Sequence, residues 1–579
     1  MDDKLKPKLF SVMKNYTKSQ LVKDIIAGII VAIIALPLSI ALAIASGVEP
    51  QYGIYTAIVA GFIISFLGGS RVQIAGPTAA FATIVAGIVM ENGGGKEGMK
   101  ALAVATIMAG IILVLMGIFK FGSLIKFIPH TITTGFTAGI AVTIAVGQLK
   151  DFFGIIYKDG YESPIETIEK IKAVFDNMPI KSIDSLSSVN YWPFIIGVIS
   201  LAILIIWPYI NKVIPGSLIA VIVGSAIVAL SGIEVKTIGD LYTITRDLPS
   251  FVMPEFSFST VKALLPDAFT IAILAAIESL LSCVVADGMI GSRHRSNMEL
   301  VAQGTGNIAS ALFGGIPATG AIARTAANIK NGGRTPIAGM VHAVVLVLIL
   351  VLLMPLANLI PMPTIAAILI MVAYNMSGWR TVVNICKKAP KSDIFVLVVT
   401  FVLTVVFDLV VAIGVGLVLA CVLFMKRMSD VTMVESWKYL SSDEVKKHDE
   451  HKQFNEEEDE DHIRFKEVPK KTFVYEITGP LFFGAANRLA GMTDAIKADV
   501  VIIRMRSVPA MDETAVNTLE GIIETFIKND TKLIFSHVNE QPYHVLEKAG
   551  IVEKIGKDNF AKNIDEALEM AENIVKDKK

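Results

Sequence analysis

The stretches VQIAGPTAAFATIVAG (72–87) and GGIPATGAIARTAANI (314–329) decide how this chain folds. Each stretch places Gly, Pro and Thr directly before a run of small apolar residues. Each run is shorter than the roughly 20 apolar residues that a helix needs to cross a bilayer. A matched pair of short segments interrupted by Gly and Pro is typical of two inverted repeats with broken helices. Ordinary kinks between packed helices are the alternative interpretation.

Apolar segments follow one another on both sides of these two stretches, separated by short breaks. Of the 579 residues, 53% are hydrophobic, and the mean hydropathy is +0.61. The pattern predicts an all-α polytopic membrane protein with fourteen spans in a 7+7 inverted repeat, in which spans 3 and 10 are half-helices. The predicted spans are 24–44, 52–69, 77–90, 99–119, 131–149, 192–210, 214–231, 266–287, 299–314, 319–329, 337–357, 363–376, 392–407 and 409–426.

Basic residues are concentrated in every second loop between the predicted spans, for example at Arg71, Lys212, Arg293 and Lys330. Loops rich in Lys and Arg face the cytoplasm. An even number of spans with both termini cytoplasmic therefore fits the sequence, in a multi-pass protein of the cell (inner or plasma) membrane. The net charge of −1 carries no information about partners, and no nucleic-acid partner is predicted.

The composition of the sequence changes after Lys426, where charged residues become frequent and apolar runs become short. Buried strands are predicted at FVYEI, DVVIIRM and KLIFSHV, and an amphipathic helix at AVNTLEGIIETFI, which together indicate a small α/β domain. The predicted division of the chain is a cytoplasmic segment at 1–23, a membrane domain at 24–428, a linker with an acidic insert at 429–471, and the α/β domain at 472–579.

The two broken helices predict an anion-binding site. A half-helix that begins inside the membrane presents unpaired N–H groups and the positive end of its dipole, so two facing ends bind an anion without a large charged side chain. Thr78 and Thr319 supply hydroxyl donors, and small neighbours let an anion approach the backbone. Arg324 adds positive potential, or serves as a structural counterion. The small neighbours are Ala79, Ala80, Gly320 and Ala321.

Glu278 lies inside the predicted eighth span, in TIAILAAIESLLSCVVA. A carboxylate within a membrane span is costly and usually functional, so Glu278 is predicted to exchange a proton or to bind a cation. Ser282 lies one helical turn away on the same face and is predicted to share that role. A neutral, purely structural Glu is the alternative. The coupling ion is predicted to be H⁺, with Na⁺ as the other possibility.

No enzymatic site is predicted. The α/β domain has neither a GxGxxG nor a Walker-type phosphate loop, and the sequence shows no nucleophile–base pair and no metal cluster. The three cysteines lie in or beside apolar segments without metal spacing. We therefore expect no cofactor other than the coupling ion.

At these residues the chain resembles the sulfate permease (SulP) family of anion transporters, which ends in a STAS domain. The resemblance covers nearly the whole chain. It rests on PLSIALAIASGVEPQYGIYTA, AGPTAAF, AIESLLSCVVADGM, the segment SNMELVAQGTGNIASALFGGIPATGAIARTAANIKNGGRTP, ITGPLFFGAA and VPAMDETAV. The APKSDI and LFFGAA motifs are most similar to the bacterial dicarboxylate-transporting branch. Many members have PQ in the first span, whereas here Pro37 is followed by Leu38.

The resemblance implies a moving core domain, a gate domain and usually a homodimer. It implies that substrate lies between the starts of spans 3 and 10, at Pro77–Ala80 and Thr319–Ile322, and that the coupling acid is Glu278. Sodium-bicarbonate members typically have Asp at that position, so Glu favours protons. In STAS domains of the anti-sigma-antagonist type a Ser or Thr is phosphorylated, and Thr514 matches that position as a possible regulatory site. A cytoplasmic protein partner of this domain is also possible.

The expected function is therefore secondary-active transport of a small anion, of the sulfate type by family default, as a proton symport. The alternatives that stay open on the sequence are a C4-dicarboxylate:proton symporter, a sodium-coupled bicarbonate transporter, an uncoupled anion channel or voltage-responsive membrane motor, and a membrane sensor that signals through the STAS domain. The same half-helix ends would serve all of these anions.

Overall fold

A computed structural model describes residues 5–123, 129–157, 164, 167–177, 190–211, 214–407, 409–437, 466–489, 492 and 498–577. These residues form two compact units, 1–417 and 418–579. The predicted acidic insert at 441–462 lies outside the described residues.

The first unit is almost entirely helical. Its long apolar helices bury small residues and expose large apolar side chains, as expected for helices packed together within lipid. The helices are α1 Lys8–Val12, α2 Lys18–Ala45, α3 Pro50–Leu67, α4 Ala82–Glu91, α5 Gly95–Ile118, α6 His130–Gly147, α7 Leu149–Phe153, α8 Thr167–Asp176, α9 Trp192–Ile210, α10 Gly216–Ser231, α11 Ile238–Leu241, α12 Phe258–Ala263, α13 Leu265–Ile290, α14 Ser296–Leu312, α15 Ile322–Lys330, α16 Ile337–Leu353, α17 Met362–Ser377, α18 Trp379–Lys388, α19 Lys391–Val406 and α20 Leu409–Val431, the last of which continues into the second unit.

A helix lies in each of the fourteen predicted segments, with ends that differ by a few residues. Local signals set many ends: Pro50 stands at the first position of α3, and Gly378, in the left-handed conformation, ends α17. Among the described residues nine helices are long and apolar enough to cross a membrane by length and composition. The count of fourteen spans stays a prediction.

The two stretches that open the sequence analysis meet in a short ladder. Strand β1 (Ala75–Gly76) pairs antiparallel with β2 (Thr319–Gly320), with Ala75 opposite Gly320 and Gly76 opposite Thr319. All four residues are buried. Non-helical backbone is tolerated at membrane depth only where protein or a cavity surrounds it, and here the ladder pairs the extended backbone that precedes each of the two short helices.

Close helix contacts enclose the ladder. Helices α5 and α14 pack along each other, α3 packs on both α14 and α16, and α13 packs on β2 and α15. Small residues permit this approach: a Cβ on Gly304 of α14 would lie 2.4 Å from the carbonyl oxygen of Gly110 in α5. Such close packing between small residues is the main source of helix association in membranes.

The second unit contains a five-stranded sheet in the order β3-β4-β5-β6-β7. β3 is antiparallel to β4 and the other neighbours are parallel. The strands are β3 Met433–Trp437, β4 Thr472–Thr478, β5 Val500–Ser507, β6 Lys532–Ser536 and β7 Phe560–Ala561; the helices that follow α20 are α21 Ala486–Leu489, α22 Glu513–Lys528, α23 Glu540–Lys548, α24 Ile551–Ile555 and α25 Ile564–Asp577.

The predicted α/β domain is confirmed, with its three predicted strands at β4, β5 and β6 and its predicted helix at α22. The sheet starts earlier in the chain than the predicted boundary at residue 472. Strand β3 lies within the predicted linker, because Val434 and its neighbours pair with Ile477 and the rest of β4. Strand β3 has only five residues, which is too short for an alternating apolar pattern to predict a strand.

Candidate functional site

The centre of the candidate site is the pair of helix starts that leave the β1–β2 ladder. Residues 79–81 form one 3₁₀ turn that continues into α4, while α15 begins at Ile322. Because the strands are antiparallel, the two helices run away from each other with both N-termini at the ladder. Within the described residues neither start has a side-chain cap, so their N–H groups and positive dipole ends stay available.

Thr78 and Glu278 join the first helix start to α13. The hydroxyl of Thr78 donates a hydrogen bond to Oε2 of Glu278 over 3.1 Å. Both side chains are half-buried, in contrast to the buried Ala79 and Ala80 beside them. The carboxyl group therefore adjoins the N-terminus at which an anion is predicted to bind.

Ser282, which the sequence pairs with Glu278, is buried, and its Oγ has no hydrogen-bond partner among the described residues. Its shared role with Glu278 stays a prediction. The serine that contacts β2 is Ser279. Its Oγ lies 2.6 Å from Oγ1 of Thr319 and accepts a hydrogen bond from the N–H of Gly320 over 3.1 Å. Spacing along the helix predicts that Ser282 lies on the same face as Glu278. The contact of Ser279 with β2 depends instead on how β2 packs against α13.

The hydroxyl group of Thr319 is already engaged in hydrogen bonds within the protein. Besides its contact with Ser279, its hydroxyl donates to the carbonyl oxygen of Ala275 over 3.2 Å, and its side chain is fully buried. It therefore does not present a free donor in this structure. On the same helix start, Ala321 is half-buried and Ile322 is 41% exposed, so the accessible part of the second helix end begins after the ladder.

Arg324 supplies a buried positive charge behind the ladder. Its side chain is 1% exposed, and Nη2 donates to the carbonyl oxygen of Pro77 over 3.0 Å. Nε and Nη1 are buried without a hydrogen-bond partner among the described residues. The guanidinium thus ties α15 to the segment that precedes α4, and its charge acts on the site through the protein rather than from its surface.

Several anchoring residues escaped the sequence analysis. The side chain of Asn307 in α14 binds both backbone groups of Ala318, with two hydrogen bonds of 2.8 Å. Oγ1 of Thr325 accepts a hydrogen bond from the N–H of Ile74 over 3.0 Å, and the amide of Asn328 donates to the carbonyl oxygen of Val72 over 2.8 Å. Polar residues inside membrane segments are a usable signal for such anchors.

Thr514 lies in the second unit, in the first turn of α22, and its side chain is exposed. The cap of this helix is Asp512, whose carboxylate accepts hydrogen bonds from the N–H groups of Ala515 and Phe483. The position is accessible to a modifying enzyme, and its regulatory role stays a prediction. Among the described residues no group of three or more His, Cys, Asp and Glu side chains could hold a metal ion.

Two short helices that leave a shared antiparallel ladder among long apolar helices are typical of membrane transport proteins. The chain belongs to the sulfate permease family, whose model matches residues 21–400, and a STAS domain model matches residues 465–567.

Known proteins resemble the chain over nearly its full length. YvdB of Bacillus subtilis is 40% identical over 96% of this chain and 98% of its own length. The bicarbonate transporter BicA of Picosynechococcus is 29% identical over 91% of this chain and 90% of its own. The solved structure of SLC26A9 superposes with a TM-score of 0.83 over 99% of this chain and 93% of its own at 18% identity, which shows a shared fold.

Proposed function

We propose that this protein carries a small oxyanion of the sulfate type across the cell membrane together with a proton. Membership of the sulfate permease family supports anion transport. The observation that carries the proposal is the hydrogen bond between Thr78 and Glu278, which places a carboxyl group at the N-terminus of the 3₁₀ turn before α4.

The proposed coupling is electrostatic. An anion held at the two helix starts is repelled by an ionised Glu278 beside it, and this repulsion is strong where water is scarce. Protonation of Glu278 removes the repulsion, so anion and proton bind together and cross together. Arg324 retains its positive charge throughout and favours the anion in both steps.

The substrate proposal rests on family names and chemistry. YvdB is named as a candidate sulfate transporter, and BicA is named a bicarbonate transporter. Glu278 favours a proton over a sodium ion as the coupling species: the hydroxyl of Thr78 donates to its carboxylate, and Na⁺ needs several oxygen ligands. A C4-dicarboxylate is the other substrate class that the same helix ends accommodate.

The test is uptake of labelled sulfate, succinate and bicarbonate into proteoliposomes, with inward gradients of H⁺ or Na⁺ applied separately. We expect a proton gradient to drive sulfate uptake above equilibrium. Glu278→Gln should abolish the response to the gradient, while Glu97→Gln, at an exposed carboxylate on α5, should leave it unchanged. Uptake that follows Na⁺ and ignores H⁺ would replace the proposal with sodium-coupled transport, and currents far above transporter turnover would replace it with a channel.

We also infer a homodimer with cytoplasmic termini in the membrane, because the chain belongs to a family of multi-pass proteins with a STAS domain. Cross-linking in native membranes and protease access to a C-terminal tag test these two statements separately.

A further inference from the structure

A cavity of about 490 Å³ lies in the first unit between the N-terminal segment and the ends of two helices. Its wall carries three basic side chains, Lys8, Arg71 and Arg334, and no acidic side chain among the described residues that line it. Ser11 and Thr17 also line it. Converging cations and hydroxyl donors form the kind of site that binds a multiply charged oxyanion.

The carboxylate of Asp24 lies behind the wall, where it is hydrogen-bonded by residues that line the cavity. Asp24 is fully buried and accepts hydrogen bonds from Tyr16 (3.0 Å), Gln20 (2.9 Å) and the hydroxyl of Thr335 (2.6 Å), and from the N–H of Arg334 (2.8 Å). These bonds hold the wall in place and satisfy the oxygen atoms of Asp24. Asp24 therefore lies behind the wall of the cavity and is not one of the residues that line it.

Arg71 gives an independent sign of a missing ligand. It follows α3, and its Nε is buried without a hydrogen-bond partner among the described residues. A buried guanidinium nitrogen without a partner is costly, and an anion is the partner that its fork of donors fits best. Arg334 differs, since its Nη1 donates to the carbonyl oxygens of Ile329 and Gly333 and caps the end of α15.

We propose that this cavity binds a phosphate group, presented by the headgroup of an anionic lipid. The cavity lies where α2 begins, and α2 continues into the membrane with apolar side chains exposed along its first turns. Basic cavities at the membrane end of transmembrane helices suit lipid phosphates, and the exposed apolar row suits the acyl chains. The row consists of Leu21, Val22, Ile25, Ile26 and Ile29.

Free inorganic phosphate has the same chemistry, so the experiment separates the two sources. The purified full-length protein is titrated with dioctanoyl-phosphatidylglycerol, with dioctanoyl-phosphatidylcholine and with inorganic phosphate, and the thermal unfolding midpoint is recorded. A ligand that binds only the folded protein raises the midpoint with concentration. We expect phosphatidylglycerol to raise it, phosphatidylcholine to leave it unchanged, and added NaCl to weaken the effect.

Substitutions inside and outside the cavity test whether the lipid binds there. Arg71→Gln should weaken the apparent affinity about tenfold or more, the loss expected for one charge-assisted hydrogen bond, and Arg71→Lys should recover part of it. Arg293→Gln removes an equal charge from an exposed residue whose side chain does not line the cavity, and should change the affinity less than twofold, as expected of a screened surface charge. If Arg71→Gln does not fold, Lys8→Gln takes its place.

Each outcome decides the question. A response to inorganic phosphate that depends on Arg71, with none to phosphatidylglycerol, keeps the phosphate site and replaces the lipid by a free ion. Equal responses to both lipids, no response to any ligand, or equal losses in Arg71→Gln and Arg293→Gln overturn the site. The result is independent of transport, because none of these residues lies at the ladder or at Glu278.

Discussion

The hydroxyl of Thr78 donates to the carboxylate of Glu278 across 3.1 Å, although 200 positions separate the two residues in the chain. This bond connects the start of one broken helix with the acid on α13. Any change in the charge of Glu278 therefore occurs next to the place where an anion is proposed to bind.

Thr78→Val removes the hydroxyl and keeps the volume of the side chain. We expect the maximal rate of anion uptake to fall about tenfold, the effect of losing one hydrogen bond to a charged group. Thr78→Ser retains a donor and should keep most of the rate. Initial rates at several substrate concentrations in proteoliposomes provide the measurement, and equal losses in both variants would contradict the role of the hydroxyl.

Gly320→Ala tests the close approach at the ladder. A Cβ at this position would lie within 1.7 Å of Nε2 of Gln73, so the side chain or the strand must move. We expect a clear drop in the thermal unfolding midpoint and loss of transport. Gly87→Ala is the matched control in α4, where an added Cβ meets nothing within 4 Å, and should be neutral or stabilising by up to about 1 kcal/mol.

A second substitution checks the cause of the Gly320 effect. Gln73→Ala removes the side chain that an alanine at position 320 would strike, so the double variant should recover part of the lost stability. Additive losses in the double variant would show that the clash is not the reason.

Ser279→Ala and Thr319→Val test the buried hydroxyl pair. Each single change removes the contact between the hydroxyls, while the remaining hydroxyl keeps its bond to Gly320 or to Ala275, and should cost about 0.5–1.5 kcal/mol. The double change removes both hydroxyls, so its cost should be smaller than the sum of the two. Unfolding of the purified protein gives all three values, and a strictly additive result would argue against a direct contact at 2.6 Å.

Tyr16→Phe tests the contact between Tyr16, which lines the basic cavity, and Asp24, through the pH dependence of stability. Burial, together with the nearby charge of Asp24 and the hydrogen bond to it, raises the pKa of Tyr16 to about 12 from its ordinary value near 10. The folded state then holds the phenol proton more tightly than the unfolded state, so this stabilisation is complete below pH 10 and is lost as pH rises from 10 to 12.

The measurement is the thermal unfolding midpoint of wild type and Tyr16→Phe between pH 8 and pH 12. We expect the advantage of the wild type to shrink across the upper part of this range. A constant difference between the two proteins would contradict the raised pKa.

Much of the fold was predictable from the sequence because it depends on local properties. The length and apolarity of each segment indicate its helices, and short runs rich in Val and Ile indicate strands such as β5. The two broken helices were also visible, since Gly, Pro and Thr interrupt the apolar pattern at both. Strand β3 was missed because it is defined by its partner β4 rather than by its own five residues.

A helical membrane protein was predictable from the amino-acid sequence alone, with two matched broken helices, an acid inside a membrane segment and a C-terminal α/β domain. The packing of distant segments makes Thr78 the partner of Glu278, brings Ser279 against Thr319 and puts the charge of Arg324 behind the ladder. The reason is physical: periodicity along a helix gives the direction of a side chain, whereas its partner depends on which distant segment packs against that face.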